Sequence, residues 1–220
     1  WEVFLQNQSK RKFFLLLFSF ILTVHFSAPF VAPYLLAKLH MSYAWFMLSI
    51  AALLIGKMTA SVWIEKRKTQ IDSFAMFKFG VMIAAPSPLL WAFGDQFVYI
   101  LFLQFLGGVA WGAYEVALML IFFRDLRNDE KVSFLTVFNF LNSLGIILGT
   151  FLGAHFLSSF GGQELVYGAL FLGGGVLRIL AANFFWRFIL QSLLQYLFLF
   201  LFFHSFSLFL SQNFLFFLSS

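Results

Sequence analysis

Glu115 is the only charged residue between positions 97 and 123, in a run long and apolar enough to cross a bilayer. A carboxylate at that depth is costly, so it faces a bundle interior or a watery cavity. Its chemistry there is proton titration or cation binding, and the competing reading is a structural carboxylate paired to a neighbouring helix. Trp111 and Gly112 precede it by four and three residues, which puts all three on one helix face. Arg178 is the other deep charge, inside the run 165–186. At ~1.5 Å rise per residue it lies within about 5 Å of the depth of Glu115, so the two can pair. Alternatively Arg178 extends toward the headgroups. A structural role is the preferred reading for it.

Other polar groups fall at helical spacing. Thr136, Asn139, Asn142 and Ser143 lie on one run, with Asn139 and Ser143 on a shared face. They either line a cavity or bond across helices. His25, Pro29 and Pro33 recur every four residues, followed by Tyr34, and Pro86 and Pro88 sit in another run. Prolines free carbonyls and permit bends in membrane helices, so a bend near His25 is expected. His25 and His155 have no companions at metal-ligand spacing, so neither a metal nor another cofactor is expected. No hydrolase elbow, phosphate loop, zincin motif or paired-carboxylate signature is present, so the chain does not read as an enzyme. It lacks lipid-anchor motifs as well.

These residues need elements to hold them, and composition says which. Of 220 residues, 62% are hydrophobic and 10% charged, too little charge to cover a soluble globule. Lipid is the solvent such a surface requires. The chain has no Cys, which excludes disulfides and thiolate chemistry. About 20 apolar residues cross a bilayer as a helix. By that measure six spans are expected, at 13–37, 42–64, 73–93, 97–123, 132–157 and 165–186. The fold class is therefore an all-α membrane protein, a polytopic helical bundle. Asn128 or Asp129 is expected to cap the fifth span. Glycines four apart, Gly108 with Gly112 and Gly145 with Gly149 and Gly153, predict close helix packing; Gly173, Gly174 and Gly175 mark the sixth span.

Lys10, Arg11 and Lys12 precede the first span, Lys66, Arg67 and Lys68 follow the second, Arg124, Arg127 and Lys131 follow the fourth, and Arg187 follows the sixth. The opposite ends carry little beyond Lys38. This alternation predicts a cytoplasmic N-terminal segment, 1–12, and an integral multi-pass protein, with the inner cell membrane as the expected location. The net charge of +5 arises from these clusters rather than from a continuous basic face, so no nucleic-acid partner is expected. Residues 188–220 are uncharged and rich in Phe and Leu; they read equally as a seventh helix or as a low-complexity extension. Position 1 is Trp, and the chain reads as part of something longer.

Four stretches together resemble the C-terminal six-helix half of a major facilitator superfamily transporter, over about residues 10–187. They are SAPFVAPYLLAKLHMSYAW at the end of the first span, SVWIEKRKT after the second, QFLGGVAWGAYEVAL in the fourth and FNFLNSLGIILGTFLGAHF in the fifth. The second stretch departs from the family's loop signature, with Ser61 at the first Gly position and Lys68 at the second. The resemblance implies alternating access of two six-helix halves around a midplane cavity. It implies that the first and fourth spans line that cavity, helped by the second and fifth. Glu115 and Trp111 are then the first solute- or ion-binding candidates, with His25, Tyr34 and Asn139 behind them, and Glu65 with Lys66 are gating-loop candidates. It also implies a missing N-terminal half or a second copy as partner, besides the lipid bilayer and a small-molecule solute. The expected function is secondary transport of a small solute, with proton coupling a further expectation. The alternative is a truncated or accessory membrane protein that transports nothing and packs against partner helices.

Overall fold

The computed structural model describes residues 8–66, 72–161 and 163–184. Among these there is no strand. Six helices among the described residues are long and apolar enough to cross a membrane, which is the architecture of a multi-pass helical membrane protein. Lipid cannot satisfy a backbone N–H or C=O, so each apolar run must pair its own backbone as a helix. The expectations for residues 1–7, for 67–71 and for 185–220, Arg187 included, concern positions outside the described residues.

The first crossing begins with α1 (Gln8–Ser27) and does not stay α-helical. It passes through a 3-10 turn at Ala28–Phe30, an α turn at Val31–Pro33 and a π turn at Tyr34–Lys38. Pro29 and Pro33 lack the N–H that the helix would otherwise use, and the winding adjusts around the unpaired carbonyls. The expected bend near His25 therefore falls at Ser27, where φ is −124° and ψ −32°. Next come α2 (Tyr43–Glu65) and α3 (Ser73–Ala84). Asp72 caps α3, its Oδ2 accepting from the Ala75 N–H at 2.9 Å. The third crossing is shorter than expected: it breaks at Ala85–Pro86, resumes at Ser87–Leu90 and turns before Phe93. Pro86 and Pro88 cause the break, again by removing donors.

The fourth crossing is α4 (Phe97–Leu120), ending in a π turn at Ile121–Asp125, and α5 (Asn128–Ser159) follows. The expected side-chain cap of α5 is absent. Arg127 holds the capping position without a side-chain bond, and Asn128 Oδ1 instead accepts from Lys131 Nζ at 2.8 Å. Asp129 and Glu130 do occupy the first turn, where the helix dipole favours acids. Gly161, at φ 82°, makes the turn into α6 (Glu164–Phe184).

The helices run up and down. At one end, which carries Arg11, Lys12, Lys66 and Lys131 and is called the basic end below, Phe13 packs on Phe74, Phe77 and Phe134, and Phe122 packs on Phe134. At the other end a cluster joins Tyr34, Leu35, Trp91, Ile100, Leu103, Leu157, Tyr167, Leu170 and Phe171. In the helix pairs, α2 and α3 pack on α4, and α1 packs on α5. The chain forms two units, residues 1–182 and 183–220, and nearly all of the second lies outside the described residues.

Glycines set the closest approaches, as their spacing predicts. A Cβ on Gly149 would meet the Leu22 carbonyl and one on Gly153 the Phe26 carbonyl, while Gly145 faces Ile21, all on α1. A Cβ on Gly108 would meet the Leu53 carbonyl of α2, and one on Gly112 would lie 2.9 Å from the Lys57 carbonyl. Two partners were not singled out in the sequence. A Cβ on Gly56 of α2 would meet the Phe105 carbonyl, and one on Gly80 of α3 would lie 2.7 Å from the Tyr114 nitrogen.

Candidate functional site

The α2–α4 crossing determines the electrostatics of Glu115. Gly56 and Gly108 let the two backbones touch, and Gly112 seats directly on the backbone of Lys57. One turn further along α4, Glu115 Oε1 accepts from Lys57 Nζ at 2.7 Å. This is a charge-assisted bond of the short, strong kind. The side chains keep 33% (Lys57) and 52% (Glu115) of their exposure. Lys57 lies about 12 Å from the end of α2 at Glu65, at ~1.5 Å per residue, well inside the bilayer span. Glu115 thus has a partner at hydrogen-bond distance. The sequence reading missed Lys57, and the signal available was one cation inside residues 42–64.

Glu115 also opens onto a cleft of about 510 Å³ formed by α1, α4 and α5. Its wall includes Trp111, Tyr114, Phe122, Phe123 and Phe138, with His25, Asn142 and Lys131 as further polar groups. That volume is typical of small-molecule sites, which are mostly apolar with a few placed polar groups. Trp111 and Tyr114 meet edge-on with ring centres 5.4 Å apart. His25 Nδ1 lies 3.0 Å from the Ile21 carbonyl on its own helix, a contact that fixes the ring. Lys131 Nζ donates to Asn128 Oδ1 and, at 3.2 Å, to the Phe123 carbonyl, closing the basic end of the cleft.

Of the expected binding residues, Glu115, Trp111 and His25 meet at this cleft; Tyr34 and Asn139 do not. Tyr34 is buried in the far-end cluster, 5.7 Å from Tyr167 and 5.3 Å from Phe171 between ring centres. The prolines between His25 and Tyr34 rewind the crossing, so their linear spacing does not give a shared face. Asn139 is exposed on α5, and Asn142, three residues on, lines the cleft in its place. The expected help from α2 comes through Lys57 rather than through the cleft wall. Glu65 ends α2 and Lys66 follows it, both at the exposed surface of the basic end and neither in the cleft.

Arg178 does not pair with Glu115, and it does not reach toward the headgroups. It is 3% exposed. Its Nη2 donates to the Val24 carbonyl at 2.9 Å and to Ser27 Oγ at 3.0 Å, and Nη1 lies 3.4 Å from the Ala84 carbonyl. Those acceptors sit where the first and third crossings break. Pro88 has no N–H for the Ala84 carbonyl, which accepts from Ser87 Oγ as well, at 2.9 Å. Gly174 and Gly175 bring α6 against Ser27 and Leu89 so that the guanidinium reaches both breaks. Among the described residues, Arg178 Nε is buried without a hydrogen-bond partner.

No protein-family model, curated protein or solved structure matches this chain.

Proposed function

We propose that this chain is part of a secondary transporter that carries a small solute across a membrane by alternating access. The observation that carries this reading is the cleft of about 510 Å³ beside an ion pair within the membrane-crossing helices. Polar and charged groups inside the bilayer mark solute and ion pathways. A site of this volume takes an organic molecule rather than a bare ion. The order of six crossings, the proline-broken first crossing and the glycine-packed fourth and fifth support the resemblance to one half of a major facilitator superfamily transporter. In this reading a second six-helix half, or a second copy, faces the cleft and completes the pathway. The basic clusters support an N-terminus in the cytoplasm, and the inner cell membrane is the location proposed with it.

The test is efflux from proteoliposomes loaded with a mixture of small metabolites, analysed by mass spectrometry. At least one solute leaves faster than from protein-free vesicles, and Met119→Trp slows it. Met119 lines the cleft with an exposed side chain, so the larger ring fills the space without disturbing the core. Efflux identical to that of empty vesicles for every solute overturns the proposal.

A further inference from the structure

The charge balance around Glu115 restricts what the cleft accepts, if it is the solute site proposed above. With Lys57 at 2.7 Å the empty pair is neutral. The pair keeps a third or more of its exposure, so stranding one partner costs less than in a sealed core, but it leaves a net charge within the bilayer span. A lone cation would take Glu115 and strand Lys57. A lone anion would take Lys57 and strand Glu115. Three kinds of cargo preserve neutrality: an uncharged solute that leaves the pair intact, a zwitterion inserted between them, or an anion that arrives with a proton.

The surrounding groups decide between these. Among the described residues Glu115 is the only acid lining the cleft, and Lys131 of α5 adds a cation to it beyond the neutral Lys57–Glu115 pair. The bonds that Lys131 makes are to neutral oxygens, so they leave its charge in place. The Tyr114 ring contributes to the wall but its hydroxyl is buried away from the cleft, and Lys78 of α3 does not line it. This bias favours a cargo that is negative overall. The wall of Trp111, Phe122 and Phe138 favours an apolar or aromatic body.

We infer that the cleft binds an amphipathic organic carboxylate together with one proton. The proton joins the Glu115 carboxylate, giving a neutral acid. The Lys57 ammonium does not line the cleft but lies 2.7 Å from the Glu115 carboxylate that does, and it turns from that carboxylate to the one on the cargo. The site is neutral before and after, so one anion and one proton cross together and no net charge moves. Lys57 is then both the cargo's anchor and, in the empty site, its substitute.

The probe is p-aminohippurate, an aromatic carboxylate, in proteoliposomes containing the whole protein, with a phenylpyridinium cation and phenylalanine as comparison solutes. An inward gradient of about two pH units raises p-aminohippurate uptake roughly tenfold. An imposed membrane potential of either sign leaves the rate unchanged. Lys57→Met lowers uptake by roughly 10- to 100-fold. Glu115→Gln lowers it as well, and the residual rate responds to the gradient by less than about twofold. The potential measurement uses unaltered protein and so stands even if a variant misfolds. Uptake that follows the membrane potential overturns the inference. Movement of the cation or of phenylalanine in place of p-aminohippurate overturns it and leaves the transport reading standing. If none of the three moves, the inference falls and the metabolite-mixture experiment decides the transport reading separately.

Discussion

Lys57 and Arg178 are both cations inside membrane-crossing helices, and the bundle holds them in opposite ways. Lys57 faces one carboxylate across one crossing, and both side chains keep a third or more of their exposure beside a cleft. Arg178 is sealed among three crossings and spends its donors on the Val24 and Ala84 carbonyls and Ser27 Oγ. The ammonium is a point charge on a flexible stem and can change partner. The guanidinium is a rigid fork that can span two breaks at once. Intramembrane charge is therefore not a single signal. Where the charge meets a partner of opposite sign beside a space, the arrangement suits exchange; where it meets backbone oxygens at broken helices, it suits bracing.

The largest expected effect tests the brace. Arg178→Gln removes charge-assisted bonds to at least two acceptors, at ~1.5–3 kcal/mol each. Purified protein should lose its sharp gel-filtration peak and its thermal transition in detergent. Arg178→Lys should fare little better, because one ammonium cannot reach Val24 and Ala84 together. A variant with unchanged melting would erase the contrast with Lys57.

Second come the helix crossings. Gly112→Leu or Gly149→Leu would push a side chain into a neighbouring backbone, costing about 1–3 kcal/mol. Gly107→Leu, where a Cβ meets nothing within 4 Å, should stay within ~0.5 kcal/mol. Gly112→Leu should also part Lys57 from Glu115, which the loss of cross-linking between cysteines placed at 57 and 115 in a double substitution would report.

Third, Glu115→Gln should cost less than about 1 kcal/mol of stability, since a half-exposed pair gains little. Its melting should match the parent protein while its transport does not. A collapse like that of Arg178→Gln would make the pair structural. The smallest effect separates two asparagines. Asn142→Ala should raise KM for the transported solute by roughly two- to fivefold, and Asn139→Ala should leave it unchanged. Equal effects would place the cleft on a different face of α5.

Much of the fold was legible because lipid leaves a backbone few options. The six crossings, the packing glycines on α4 and α5 and the bend near His25 all follow from local residue types. The shortening of the third crossing was less legible, because Pro86 and Pro88 mark a break without saying whether the helix resumes. Of the site, Glu115 and Trp111 were readable from depth and spacing. Lys57 was overlooked because a single cation among apolar residues resembles any other interruption. Asn142 and Asn139 differ by three residues in an apolar helix, and nothing local says which of them faces the cleft.

By itself the sequence determined the order and approximate positions of the six crossings among the described residues, since an apolar run that enters lipid must close its hydrogen bonds internally. Tertiary structure alone decided the partners: Lys57 for Glu115, broken backbone for Arg178 and the far-end cluster for Tyr34. The physical reason is rotational. Helices apolar on every side carry little information about which face turns inward, and that angle is set when glycine-lined backbones pack together.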